Sequence, residues 1–146
     1  MLDILGDPAT TGVVVVATPA EMPVSETLDV TRRIREETNV DLAAVVVNRV
    51  LPELFGRGEE EVFERLDTPP PLAELERLVG GSLAGPMRAA RLTVSMRRSR
   101  TEHLELLRRS VDPQIPLLYM PYLFFRSHGL RATHQIADAL SAELGY

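Results

Sequence analysis

Two continuous apolar runs with an amphipathic stretch between them form the clearest pattern near the start of the chain. Thr11 to Ala17 is an almost unbroken run of valines, too short for an ordinary helix and rich in β-branched side chains. Leu42 to Asn48 is a second such run. Between them, apolar residues recur at helical spacing from Pro23 to about Thr38. The pattern predicts a strand, a helix and a second strand, with the first strand buried on both faces and the two strands parallel.

After the second strand the pattern becomes helical until a third short apolar run. Ile115 to Met120 predicts a third strand, which is followed by a loop and a helix with one apolar face. That face contains Leu130, Thr133, Ala137, Leu140 and Leu144. Between the second and third strands the pattern predicts helices at Arg57 to Leu66, Leu72 to Val79 and Pro86 to about Ser110, with a break at Thr68 to Pro71. We therefore expect one α/β domain over residues 1–146, with a partial parallel sheet of about three strands flanked by helices and a helical segment before the last strand.

Composition narrows the class of protein. The chain has 146 residues and is 45% hydrophobic, enough for one buried core. No apolar run is long enough to cross a membrane and the first residues lack the features of a signal peptide, so we expect a soluble cytoplasmic protein. The absence of cysteine excludes disulfides and thiolate-bound zinc. A net charge of −5 argues against general nucleic-acid binding.

All sixteen basic residues are arginine, and the absence of lysine removes the phosphate ligand of a P-loop. The predicted long helix is rich in arginine: Arg88, Arg91, Arg97, Arg98, Arg100, Arg108 and Arg109. We favour a solvated face whose charges pair with acids elsewhere, such as Glu59 to Glu61, over contact with an anionic ligand or a partner. The Met and Leu residues of this helix suit core packing, and an exposed surface that binds an apolar client is the alternative.

Three loops follow the predicted strands: Thr18 to Met22, Asn48 to Pro52 and Pro121 to His128. In an open parallel sheet, ligands bind beyond the carboxyl ends of the strands, so these loops predict a site. Asn48 carries donors and an acceptor that suit the edge of a planar base, but asparagine also often turns the chain after a strand, and position alone favours that alternative. Arg49 could meet an anion or be a solvated charge. No metal site is predicted, because the three histidines have no ligand spacing.

Three segments in this order resemble the C-terminal half of the ArsA-type anion-transporting ATPases. They are VVVVATPAEMPVSET (Val13 to Thr27), AAVVVNRVLPE (Ala43 to Glu53) and PLLYMPYLFFRSHGLRA (Pro116 to Ala132). These ATPases are SIMIBI-class P-loop NTPases and relatives of the ATPase that delivers tail-anchored membrane proteins. The resemblance spans nearly the whole chain, is weakest from Pro52 to Ser110, and implies a P-loop-NTPase-like sheet.

The resemblance also implies a nucleotide site. It assigns Asn48 to an adenine contact, with Arg49 as its neighbour. The residues that would pack against the base are Pro121, Tyr122, Leu123 and Phe124, with Phe125 a weaker match. ATP and Mg²⁺ are the cofactors of the full-length family. The P-loop and switch residues that carry phosphoryl transfer are absent here, so we expect no catalytic residue, no hydrolysis and no tight binding of either cofactor by this chain alone. The segment Pro19-Ala20-Glu21 has an alanine that relatives lack, so Glu21 is given no role.

Two functions follow from these implications. The first is a C-terminal fragment of an ArsA-like ATPase that contributes the adenine-recognition side of an ATP site. The alternative is a non-catalytic interaction module, without a P-loop, that pairs with a complete ATPase subunit. Both predict a homodimer or heterodimer with an ATPase subunit. The resemblance also implies an apolar or membrane-protein client for the family, whereas no nucleic acid and no integral membrane segment are expected.

Overall fold

The computed structural model describes residue 4 and residues 6–53, 55–56, 58–123 and 129–146. Its elements alternate between strands and helices at both ends of the chain and are helical in the middle. In chain order they are β1 (Gly12–Ala17), α1 (Glu21–Glu37), β2 (Asp41–Val50), α2 (Glu59–Leu66), α3 (Pro69–Val79), α4 (Ala84–Ser110), β3 (Leu117–Pro121) and α5 (Leu130–Leu144). The predicted α/β class with a parallel sheet flanked by helices is therefore confirmed.

The sheet has three parallel strands in the order β1-β2-β3, with β2 in the centre. Helix α1 connects β1 to β2, as the two valine-rich runs predicted. The register between β1 and β2 shifts after Val13, because Ala43 bulges out of the pairing. A Cβ added to Gly12 would lie 2.9 Å from the Cβ of Ala43, so glycine allows this close approach of the two strands.

The chain divides into two compact units. The first, the sheet unit, comprises Met1–Pro52 and Ser99–Tyr146. One face of its sheet packs against α1 and the C-terminal part of α4. The buried residues of this core are Ala17, Val24, Val45, Val47, Leu107 and Val111. The valine run of β2 is explained by this arrangement, since a central parallel strand buries side chains on both faces. The prediction that the first valine run is buried on both faces is wrong, because β1 is an outer strand of the described sheet and its Val14 and Val16 are 53% and 62% exposed.

Helix α5 packs against β3 on the sheet unit. Leu118 and Met120 alternate with the β3 residues that join the main core, and both are buried. Ala132 is the buried residue of α5, whereas Leu130 and Leu144 of the predicted apolar face are 80% and 51% exposed. The helix therefore contacts β3 through a face that contains the small residue Ala132, and most of the predicted apolar face is exposed.

The second unit, the helical unit, comprises Glu53–Arg98. Its core contains Phe63, Met87 and Val94, and the ring of Phe63 stacks on Phe55 with centroids 5.1 Å apart. The predicted break at Thr68 to Pro71 is wrong beyond Thr68, because α3 begins at Pro69. Proline fits the first turn of a helix, where its missing N–H has no partner to lose and its φ is already helical.

Part of the arginine-rich surface is paired within the helical unit. Arg91 Nε lies 3.2 Å from Asp67, and Arg98 Nη2 lies 2.6 Å from carboxylate oxygens of Glu60 and Glu64. Only the Glu64 contact of Arg98 has hydrogen-bond geometry. For these arginines, the expected pairing with acids is confirmed.

Across the described part of the chain, no helix combines the length and apolar character that crossing a bilayer would require.

Candidate functional site

The carboxyl ends of β2 and β3 lie side by side at the end of the sheet where the parallel strands terminate, which we call the carboxyl edge. Val50 pairs with Pro121, and the backbone N–H of Tyr122 donates to the carbonyl oxygen of Val50 at 2.8 Å. The two loops predicted to form a site are therefore neighbours. Because all three strands are parallel, the loop after β1 lies at this same edge, as predicted.

A bulge interrupts β2 just before this meeting point. The pairing with β3 shifts between Val47 and Val50, so Asn48 and Arg49 stand outside the regular ladder. Arg49 has φ = 61°, in the left-handed region, and is the sole described non-glycine residue there. That conformation costs an L-residue about 1–2 kcal/mol, so the surrounding contacts must hold it.

The side chain of Asn48 supplies one of those contacts. Its Oδ1 accepts a hydrogen bond of 2.8 Å from the backbone N–H of Arg49. An N–H donor requires an oxygen acceptor, so this contact also fixes which way the amide is turned. The Nδ2 group makes no hydrogen bond to a described residue, and Asn48 is exposed. Asn48 therefore does turn the chain, and it still offers two donors to a ligand.

Arg100 supplies a second contact to the bulge. Its Nη1 donates to the carbonyl oxygen of Arg49 at 3.3 Å. The sequence had placed Arg100 among the solvated charges of the long helix, so this contact was missed. No local pattern could have revealed it, because the two residues are 51 positions apart in the chain.

The predicted base-packing residues differ in how close they lie to the bulge. Pro121 and Tyr122 lie beside Val50, next to the bulge. Leu123 follows them and is half-buried. Phe124, like Phe125, lies outside the described residues. The structure thus brings Asn48, Arg49, Pro121 and Tyr122 together at one edge of the sheet.

The loop after β1 forms the start of α1. Pro19 is fully buried, and the N–H of Ala20 donates to the carbonyl oxygen of Thr18 at 2.8 Å. The helix begins at Glu21, two residues before the predicted Pro23, and no side chain caps it. Glu21 is exposed in the first turn, where its charge suits the helix dipole.

Arg49 is exposed at this edge, and a guanidinium can meet a phosphate. The chain has no lysine, and the described residues contain no cluster of three or more His, Cys, Asp or Glu side chains that could bind a metal ion. The described residues of this edge therefore offer amide donors to a base and an arginine to an anion, without a P-loop lysine or a metal-ligand cluster.

Neither a protein-family model nor a curated protein matches this chain. The assignment of a function therefore depends on the three resembling segments and on the geometry at the carboxyl edge of the sheet.

Proposed function

We propose that this chain is the C-terminal portion of an ArsA-like cytoplasmic ATPase and forms the adenine-recognition side of its ATP site. The observation that carries the proposal is the bulge of β2, which leaves the Nδ2 donors of Asn48 unused by the described residues, two residues before Val50, the residue that pairs with Pro121 and accepts a hydrogen bond from the N–H of Tyr122. A purine offers ring-nitrogen acceptors at its edge and a flat apolar face. An amide donor beside a proline and a tyrosine complements both features.

The proposal excludes turnover by this chain alone. In P-loop ATPases, phosphoryl transfer depends on a phosphate-binding loop, its lysine and bound Mg²⁺, which stabilise charge on the phosphates. This chain has neither the lysine nor, among its described residues, a metal-ligand cluster. When bound at a complete site, Mg²⁺–ATP would be held at its phosphates by residues of another segment or subunit, and this chain would orient the base.

The two edges of the sheet support a partner for β1. At the β3 edge, the N–H of Tyr119 donates to Glu143 Oε2 at 2.8 Å, so a side chain of α5 occupies a backbone donor of that strand. On the other side of the described sheet β1 is the outer strand, and its Val14 and Val16, on the face away from the main core, are 53% and 62% exposed. An apolar edge strand is a template for a further strand. In the proposed ATPase, the phosphate-binding half would cover this edge.

The exposed β1 edge equally favours the second candidate, a non-catalytic module that pairs with a complete ATPase subunit. The DNA upstream of the Met1 codon separates the two candidates. An in-frame P-loop motif supports the ATPase portion, while a ribosome-binding site without such a motif supports the module. A client protein would be recruited by the complete assembly, and no described residue of this chain is assigned to it.

Base binding is tested by titrating the ¹⁵N-labelled chain with adenosine up to millimolar concentrations. We expect shifts of the Asn48 side-chain amide and of the backbone amides of Val50 and Tyr122. Asn48→Ala should abolish the Val50 and Tyr122 shifts. Asn39→Ala is the matched control, because Asn39 is an exposed asparagine in the turn before β2, at the opposite edge of the sheet. An unaltered chain that shows no shift near Asn48 contradicts the proposal.

A further inference from the structure

We propose that Arg100 is a positioning residue that holds the β2 bulge and thereby sets the direction of the Asn48 amide. This inference rests on the proposed function where it concerns the base, and on the geometry of the bulge alone where it concerns Arg100. Arg100 is half-buried on α4, and its guanidinium reaches the carbonyl oxygen of Arg49 at 3.3 Å.

The bulge needs such a contact because its peptide groups have left the ladder. The N–H of Arg49 is satisfied by Asn48 Oδ1 at 2.8 Å, and its carbonyl oxygen is satisfied by Arg100 Nη1. The left-handed backbone of Arg49 is unfavourable in itself, with φ = 61°. Both hydrogen bonds are specific to this conformation, since rotating the Arg49 backbone to an extended form would redirect its N–H and its carbonyl group together.

The direction of the amide depends on the same conformation. As long as the Arg49 N–H faces Oδ1, the Nδ2 donors of Asn48 are held in one orientation. If the bulge relaxes, Oδ1 loses its partner and the side chain can rotate. A ligand would then have to order the amide on binding, which lowers affinity without removing any ligand contact. Arg100 would thus act on the base through Asn48, without touching the base itself.

Arg100 differs in its partner from neighbouring arginines of the same helix. Arg91 pairs with Asp67, whose side chain is 13% exposed, whereas Arg98 and Arg109 pair with exposed carboxylates on the surface. Such exposed ion pairs contribute little and place no demand on geometry. The Arg100 hydrogen bond goes to a peptide carbonyl of a strained residue, where one donor stabilises one backbone conformation.

The test compares Arg100→Met with Arg100→Lys and with the control Arg109→Met, all in the full chain. Methionine keeps helix propensity and an unbranched stem but removes the donor, whereas lysine keeps a donor. In the ligand-free protein, Arg100→Met should move the ¹³Cα and ¹³Cβ shifts of Arg49 from left-handed towards extended values. It should also speed hydrogen exchange of the Arg49 amide by about fivefold or more. Arg100→Lys should largely restore both values, and Arg109→Met should leave both unchanged.

The second measurement is adenosine affinity from the same titration. We expect Arg100→Met to raise the Kd about threefold to tenfold, through loss of preorganisation alone. Unchanged Arg49 shifts in Arg100→Met would overturn the inference, and so would altered Arg49 shifts with an unchanged Kd. If the unaltered chain binds no adenosine while Arg49 still responds to Arg100, the proposed function is refuted and Arg100 is reduced to a structural residue of the bulge.

Discussion

Replacing Arg49 by glycine should stabilise the protein. Arg49 has φ = 61°, and its side chain makes no hydrogen bond or ion pair with a described residue. Relieving a left-handed non-glycine residue gains about 1–2 kcal/mol. The greater freedom of glycine in the unfolded chain offsets about 0.4–1 kcal/mol of that gain. The net expectation is a rise of about 0.5–1 kcal/mol in the free energy of unfolding.

Urea unfolding should be followed through the amides of Val45 and Val47, which are fully buried in the same strand as Arg49. A gain of this size corresponds to an increase in Tm of about 1–4 °C for a chain of this length. Arg49→Ala is the matched control, since it removes the long side chain but keeps the Cβ that causes the strain, and it should change stability by less than about 0.5 kcal/mol. If Arg49→Gly is no more stable than Arg49→Ala, the strain argument is refuted.

Three further predictions address binding and titration. Calorimetry should show weak or undetectable binding of Mg²⁺–ATP, because base contacts without phosphate contacts forgo charge-assisted hydrogen bonds, and Mg²⁺-dependent micromolar affinity would contradict this. Joined to the phosphate-binding half that the proposed function requires, the chain should support ATP hydrolysis, with weaker ATP binding in Asn48→Ala; unchanged affinity in that variant would refute the adenine contact. Burial raises the pKa of the Tyr119 phenol. Stability should therefore be retained below the ordinary tyrosine pKa and fall as pH rises through the folded value, and urea titrations of Tyr119→Phe should show a smaller fall.

The strands could be predicted from the sequence because their signal is local. Runs of β-branched residues that are too short for helices have few alternatives to a buried strand, and both valine runs became parallel neighbours. The bounds were less predictable, since α3 starts inside a proline run and β2 extends to Val50. In both places the backbone of one or two residues decides the boundary, and a hydropathy pattern does not encode it.

The side of α5 that packs could not be read from its apolar pattern. The helix approaches β3 through Ala132, and the carboxylate of Glu143 hydrogen-bonds to the Tyr119 N–H. Leucines on the other face remain exposed because the closest packing surface is set by a small residue and by one backbone donor. That choice depends on where the sheet ends, which is a property of the tertiary structure.

The two interpretations of Asn48, as a turn residue and as a ligand residue, are compatible because they use different atoms of one amide. A primary amide has two N–H donors and two oxygen lone pairs. In the bulge, one lone pair of Asn48 Oδ1 accepts the hydrogen bond from the Arg49 N–H. Both donors and the second lone pair remain, which suffices for a bidentate contact with an adenine edge. The hydrogen bond within the chain also fixes the amide before any ligand arrives, so part of the ordering cost of binding is met by the fold. A turn built this way is therefore a better ligand residue than a freely rotating asparagine at the same position.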